Sequence, residues 1–189
     1  MTDHFAALAQ PRRPWLDAEA LRESFQRAAA QQHPDAPGGG DARFAALNAA
    51  HTILREPATR LRHLFDLTAL GRPSIAAPIP PALADLFMQL AGRRRALENF
   101  RQKHAAATSP LARALLTGEK ATLHRALETA LAQLTAAHAT ALDDLRTLDA
   151  AWPADPAVLL DDLAALQARF AFLSKWTAQL REDLFQLAA

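Results

Sequence analysis

The chain has 189 residues, which is enough for one or two domains, and half of them are hydrophobic, so a packed core is possible. Cysteine is absent, which excludes disulfides, thiolate metal sites and cysteine catalysis. A net charge of +1 is too balanced to indicate nucleic acid as the main partner. The polar N-terminus lacks a signal peptide, and no apolar run approaches the ~20 residues of a membrane span. We therefore expect a cytoplasmic protein without a membrane partner.

Alanine and leucine dominate the composition, and β-branched residues are sparse and never alternate, which together predict an all-α fold. The N-terminal part contains four helical patterns. They are predicted over residues 3–10, from Asp17 to about Gln32, from Asp41 to about Arg55, and from Pro57 to Gly71. Asp17 suits an N-cap and Pro57 suits the first position of a helix.

Between the second and third helices lies the tripeptide His33-Pro34-Asp35, followed by a glycine-rich loop. Pro34 cannot continue a helix, so the second helix must end before it. Asp35 is a carboxylate at a helix–loop junction, where it can pair with an arginine of a partner. Arg22 and Arg27 of the preceding helix offer positive charge to an acidic groove. On the tripeptide alone, a simple helix stop with a loop is an equally good interpretation.

Four prolines fall within residues 72–82, which predicts a semi-rigid linker between a first domain, 1–71, and a second domain, 83–189. Three long helical patterns follow, over about 81–106, 119–150 and 157–187, with a short piece opened by Ser109-Pro110 between the first two. Leucines recur at spacings of three and four along these patterns. This spacing predicts three antiparallel helices that bury one seam, a three-helix bundle.

Few residues suggest catalysis. The histidines are scattered without a metal-binding spacing, and neighbouring carboxylates such as Asp143-Asp144 point apart on a helix. Gly38-Gly39-Gly40 lacks the Lys-Ser/Thr that completes a phosphate loop. We therefore expect neither an enzyme nor a cofactor, a metal or a small-molecule substrate. A basic cluster around Arg93-Arg94-Arg95 and a later acidic stretch are interpreted as solvated helix faces, which could face each other across a hairpin.

The residues around the tripeptide carry a family resemblance. Phe44, Leu47-Asn48, Ala50, Leu54, Pro57 and Arg60 follow the pattern of the third and fourth J-domain helices. With Asp3-His4-Phe5 and Leu8 at the start, the chain resembles J-domain co-chaperones of the HscB (Jac) type, which serve iron–sulfur cluster biogenesis. The resemblance implies an N-terminal J-domain, a helical hairpin plus short helices, joined to a C-terminal three-helix bundle.

The resemblance also implies two binding sites. His33, Pro34 and Asp35, with Arg22 and Arg27, would contact a heat-shock chaperone of the DnaK/HscA type and stimulate its ATPase. An apolar surface on the C-terminal bundle would bind a client, an iron–sulfur scaffold protein of the IscU type. The client-binding residues would be Leu86, Phe87, Met88, Phe172 and Leu173.

Two departures from the family pattern keep alternatives open. Ala28-Ala29-Ala30-Gln31-Gln32 stands where basic residues are common, and Arg93-Arg94-Arg95 stands where the family carries carboxylates. One alternative is a J-domain protein with a diverged client unrelated to iron–sulfur assembly. The other is a structural helical adaptor that does not stimulate an ATPase.

Overall fold

A computed structural model describes residues 2–32, 40–69, 81–152 and 156–188, and no strand occurs among them. The all-α prediction is confirmed. The helices are α1 (His4–Ala7), α2 (Ala18–Gln32), α3 (Asp41–Arg55), α4 (Pro57–Thr68), α5 (Pro81–Ala106), α6 (Pro110–Leu115), α7 (Thr117–Ala150) and α8 (Leu160–Ala188), with a 3-10 turn at Pro156–Leu159.

The predicted helix starts are confirmed at two positions. Asp17 Oδ1 accepts the Ala20 backbone N–H at 2.8 Å, so it caps α2. Pro57 opens α4, where its missing N–H is not needed.

The first helix is shorter than the predicted 3–10. It stops at Ala7 because Ala9 adopts a positive φ of 51°, and the N–H groups of Ala9 and Gln10 turn back to the carbonyls of Ala6 and Phe5. This is the hydrogen-bond pattern of a Schellman ending. No glycine marks it in the sequence.

The structure divides into two compact units. Unit 1 consists of Met1–Pro78 and Ala141–Ala171, and unit 2 consists of Ile79–Thr140 and Phe172–Ala189. The long helices α7 and α8 thus contribute to both units. The predicted linker, 72–82, lies mostly outside the described residues, and the division into domains at 1–71 and 83–189 stays a prediction.

The core of unit 1 is built from α1 to α4 together with the segments of α7 and α8 that belong to this unit. Both α1 and α2 pack on α3, and α3 packs on α4. Fully buried side chains include Phe5, Leu8, Leu21, Leu54, Leu61, Leu64, Leu145 and Phe170.

A buried arginine holds α4 in this unit. Arg60 is only 4% exposed, and its guanidinium donates to the carbonyls of Pro14 at 2.9 Å and Leu54 at 2.8 Å. Burial lowers the pKa of Arg60 to about 10, while the negative charges of Asp149 and Glu56 act in the opposite direction. The guanidinium therefore stays charged at neutral pH, because 7 lies well below this value.

Asp149, near the end of α7, is the buried anion opposite this charge. Its carboxylate accepts from Arg13 Nη2 at 2.6 Å, from Arg13 Nε at 3.1 Å and from the Trp15 backbone N–H at 3.1 Å. Arg146, one turn earlier on α7, places its guanidinium 4.5 Å from the centre of the Trp15 ring, a cation–π contact. Residues 13–15 are thus held between Arg60 and Asp149. We call Asp149, Arg60 and residues 13–15 together the Asp149 network.

Unit 2 contains α5, α6 and parts of α7 and α8. Ion pairs and hydrogen bonds give the helix directions. Lys103 with Glu119 and Arg93 with Gln133 show that α5 and α7 are antiparallel. Phe87 beside Phe172 and Arg101 with Gln186 show that α5 and α8 are parallel. This is the up-down-up arrangement of a three-helix bundle. Its fully buried side chains include Leu90, Leu97, Leu127, Leu134, Leu173 and Leu180.

The charged clusters noted in the sequence have separate partners. In the basic cluster, Arg94 and Arg101 contact Asp183, and Lys103 contacts Glu119. In the acidic stretch, Asp149 pairs with Arg13. Asp143 pairs with Arg146 and Asp144 pairs with Arg169, so the ion pairs of the two clusters are made with other residues and not with each other.

We expect Asp149→Ala to lower the free energy of unfolding by about 3 kcal/mol, because it removes the main counter-charge of the buried Arg60 and the acceptor of the Arg13 and Trp15 hydrogen bonds. Arg13→Ala should cost about 1 kcal/mol, since the Arg13 side chain is half exposed. Asp143→Ala, on the exposed face of the same helix, should change the value by less than about 0.5 kcal/mol. Urea unfolding measures all three. An equal loss of unfolding free energy in Asp149→Ala and Asp143→Ala would contradict the role of Asp149 as a counter-charge of Arg60.

Candidate functional site

The predicted chaperone-binding tripeptide belongs to the connection between α2 and α3. Helix α2 ends at Gln32 and α3 begins at Asp41, with Gly40 in an extended conformation at its N-cap. His33, Pro34 and Asp35 lie outside the described residues. What the structure describes is the pair of helices that carries them.

An aromatic stack joins these two helices. The rings of Phe25 in α2 and His51 in α3 lie 4.3 Å apart and are nearly parallel, at 17°. Burial lowers the pKa of His51, and the positive charge of Arg55 lowers it further. His51 is therefore neutral at pH 7 and packs as an aromatic ring. This stack fixes the hairpin that was predicted from the sequence.

Arg22 shares its charge with a neighbour on its own helix. Arg22 Nε donates to Glu19 Oε2 at 3.0 Å, and Nη2 contacts the other carboxylate oxygen of Glu19. The hydrogen bond from Arg22 lowers the pKa of Glu19 and raises the pKa of Arg22. A partner that binds Arg22 must therefore compete with Glu19.

Arg27 is exposed and donates to Ser24 Oγ at 3.3 Å. It lies five residues after Arg22, and five residues turn an α-helix through one full turn and about 140° more. The two arginines predicted as one binding element thus point to different sides of α2.

Two of the predicted client-binding residues, Phe87 and Phe172, meet in unit 2, together with Trp176. The ring centre of Phe87 in α5 lies 5.7 Å from that of Trp176 and 6.3 Å from that of Phe172, both in α8. The ring centres of Phe172 and Trp176 are 6.1 Å apart. Leu86 is half-buried and Met88 is 68% exposed. We call Phe87, Phe172 and Trp176 the aromatic surface, and Phe87 is 37% exposed. Leu86 and Met88 are each rotated by about 100° from Phe87, in opposite directions, so they flank the surface on α5.

The structure places Leu173 in the core, where it is fully buried. Consecutive residues of a helix are rotated by about 100°, so Phe172 and Leu173 cannot both face outward in the same direction. Trp176 takes the place beside Phe172 that the prediction gave to Leu173. Its position four residues after Phe172 is the sequence signal that would have found it.

Cations lie next to the aromatic surface. Arg94 Nε is 3.8 Å from Asp183 Oδ2, and Arg101 Nη2 is 3.5 Å from Asp183 Oδ1. Asp183 is only 1% exposed and also accepts from Gln179 Nε2 at 3.3 Å. One buried carboxylate thus orients two arginines along the same edge of α5.

A buried histidine attaches α1 to α4. His63 Nε2 accepts the backbone N–H of His4 at 3.1 Å, so its proton must be on Nδ1. The His63 ring also stacks on Phe5, with centroids 5.6 Å apart. Burial lowers the pKa of His63, and the charge of His4 adds to this, against the charges of Asp3 and Asp66.

No group of three or more histidines and carboxylates that could hold a metal ion exists within 2–32, 40–69, 81–152 and 156–188. In the same ranges, no helix combines the length and the apolar character needed to cross a membrane.

The hairpin of α2 and α3, the short helices around it and the three-helix bundle define an all-α fold of the J-domain-plus-bundle type. Among solved structures, the chain is similar to the chaperone HscB from Vibrio cholerae, with a TM-score of 0.57 and 20% sequence identity. The match covers 98% of this chain and 99% of the HscB chain. No family model and no curated protein matches the sequence. The resemblance seen in the sequence is confirmed at the level of the fold.

We expect acid to destabilise the protein through His63. Because its pKa in the folded state is below its unfolded value of about 6.5, the neutral ring contributes stability that is complete above that value. This contribution is lost as the pH falls from about 7 towards 5. His63→Gln should therefore flatten the fall in melting temperature over this range, whereas His104→Gln, at an exposed position, should not. If the melting temperature of His63→Gln falls as much as that of the wild type over this pH range, His63 is not the group that causes the acid destabilisation.

Proposed function

We propose that the chain is a J-domain co-chaperone of the HscB type. In this role it stimulates the ATPase of a DnaK/HscA-type chaperone through the segment that contains His33, Pro34 and Asp35, and it delivers a client through the aromatic surface. The extent of the fold likeness, 98% of this chain and 99% of the HscB chain, carries the proposal. A match of that extent includes the bundle as well as the hairpin, as a two-ended adaptor requires.

The chaperone-binding end depends on a stiff hairpin. The stack of Phe25 on His51 fixes α2 against α3, so the chain between their ends is anchored at both sides. Pro34 restricts the backbone next to Asp35, which reduces the entropy that the carboxylate loses when it pairs with an arginine of the chaperone. Charge-assisted pairing of that kind is strong and directional.

The two arginines of α2 should contribute unequally to chaperone binding. Arg22 is already paired with Glu19, whereas the partner of Arg27 among the described residues is the neutral hydroxyl of Ser24. We propose that Arg27 and Asp35 make the principal contacts and that Arg22 assists. The pairing of Arg22 also favours the alternative in which the chain is a helical adaptor without ATPase stimulation.

At the other end we propose an iron–sulfur scaffold of the IscU type as the client. The aromatic surface offers three rings, flanked by Met88, to an apolar side chain of such a partner. The arginines beside it favour the second candidate, a client that has diverged from iron–sulfur assembly. In both cases the protein works in the cytoplasm as an adaptor: it catalyses no reaction itself and needs no bound nucleotide, metal or cluster.

Single-turnover ATP hydrolysis by a DnaK-type chaperone from the same organism tests the proposal. The wild type should accelerate hydrolysis, and Asp35→Asn should reduce the stimulation at least about ten-fold, because a charge-assisted contact worth more than about 1.4 kcal/mol is lost. Asp41→Asn, six residues later in the first turn of α3, is the matched control and should stimulate like the wild type.

Two outcomes would contradict the proposal. Equal stimulation by Asp35→Asn and the wild type would exclude the tripeptide as the contact. If the wild type does not stimulate ATP hydrolysis, the alternative function, a helical adaptor without ATPase stimulation, is the better interpretation.

A further inference from the structure

The aromatic surface continues directly into a basic strip. Arg94 lies seven residues after Phe87, and Arg95 lies seven residues after Met88. Seven residues make two helical turns, or about 10.5 Å along α5, so each arginine lies on the same side of the helix as the residue that it follows. Arg101 follows Arg94 at the same spacing. A ligand that lies along α5 would therefore meet apolar side chains first and guanidinium groups about 10 Å later.

The strip keeps an excess of positive charge. Asp183 is the single carboxylate that Arg94 and Arg101 share, so one negative charge stands against two positive ones. The contact with Arg94, at 3.8 Å, is too long for a hydrogen bond, and the Arg94 side chain is 47% exposed. Asp183 thus holds the strip in place without neutralising it.

Two more cations border the aromatic surface. Arg95 and Lys175 are exposed, and neither has a carboxylate within 4 Å in the part of the chain that the structure describes. Lys175 lies three residues after Phe172 and next to Trp176, so it borders the rings on the α8 side. Unit 2 as a whole contains ten arginines and lysines against six aspartates and glutamates, a net charge of +4.

We propose that the aromatic surface docks an acidic protein segment. An apolar side chain of the partner packs against Phe87, Phe172 and Trp176, and carboxylates one to two turns away pair with Arg95 and Lys175. This inference rests on the client-binding role proposed above for the same surface and names the chemistry of its client. Complementary charge at the rim selects partners mainly by sign, since a like-charged segment is repelled.

The geometry favours a protein over a single-stranded nucleic acid. Nucleic-acid binding of that kind uses ring faces that are open for base stacking. Here Phe87 meets Trp176 edge-on at 79°, and the other two pairs are tilted at 54° and 48°, so the rings pack on one another.

A pair of labelled peptides tests the sign preference. Both are amphipathic helical peptides with leucines at i and i+4; one carries glutamates one and two turns from the leucines, and the other carries lysines at those positions. Fluorescence anisotropy with the full chain should show that the glutamate peptide binds at least about ten-fold more tightly, the effect of two rim pairs of about 0.7 kcal/mol each.

Four variants locate the effect. Arg95→Glu combined with Lys175→Glu should weaken the glutamate peptide about ten-fold and strengthen the lysine peptide. Phe87→Ala should weaken both peptides, whereas Phe185→Ala, an exposed phenylalanine elsewhere in unit 2, should weaken neither. Arg125→Glu, which reverses one charge at an exposed position of α7, should have less than about a two-fold effect.

Several results would overturn the inference. The first two are equal affinity of the chain for the two peptides and binding of neither peptide. The third is a loss of affinity for the glutamate peptide in Arg125→Glu as large as in the double variant. The fourth is tighter binding of single-stranded polyuridine than of the glutamate peptide, with Arg95 required for it. Dimerisation that depends on Arg95 would show instead that the surface binds a second copy of the chain. None of these results depends on ATP hydrolysis, so failure of the co-chaperone assay and failure of the sign preference can be told apart.

Discussion

The carboxylate of Asp149 is the constraint on which unit 1 depends. It is nearly buried, and it accepts three hydrogen bonds from Arg13 and Trp15 while its charge opposes that of the buried Arg60. Removing a charge from water is costly, and it becomes tolerable only when partners of opposite charge and hydrogen bonds replace the water. The network therefore requires residues 13–15, the start of α4 and the end of α7 to meet in one arrangement. Removing Asp149 leaves the buried Arg60 with only the weaker opposing charge of Glu56 and leaves Arg13 and the Trp15 N–H without their acceptor.

Much of the fold could be predicted from local patterns. Leucine spacing located the long helices, and Asp17 and Pro57 marked the starts of two of them. Arg60 was noticed only as part of a family pattern, and the carbonyls of Pro14 and Leu54 supply the physical reason for it. Asp149 was not recognised, because its partner Arg13 lies 136 residues away and helical periodicity carries no information about such pairs. The early end of α1 was missed because Ala9 occupies the left-handed conformation without a glycine.

The candidate surfaces show the same division between local and distant information. The rotation of about 100° per residue already separates Phe172 from Leu173 and joins Phe172 to Trp176, so this part could have been read from the sequence. The pairing of Arg22 with Glu19 at i,i+3 was likewise readable. The convergence of Arg94 and Arg101 on Asp183 was not, because it depends on the parallel register of α5 and α8. His33, Pro34 and Asp35 stay a prediction, supported by the hairpin that carries them.

The two proposed ends of the adaptor differ in physical character. The hairpin offers single charges on a stiff support, which suits a transient contact that is fast and salt-sensitive. The bundle offers packed rings beside a basic strip, which suits a contact in which apolar burial supplies affinity and charge supplies selection.

Chemical-shift mapping with the isotope-labelled chain and an ATP-bound DnaK-type chaperone tests the central claim most directly. The account predicts shifts for the amides of α2 around Arg27 and of residues 33–40, with the amides around Phe87 and Trp176 unchanged. Shifts confined to the aromatic surface would contradict it, because the chain would then bind the chaperone as a substrate and not as a co-chaperone.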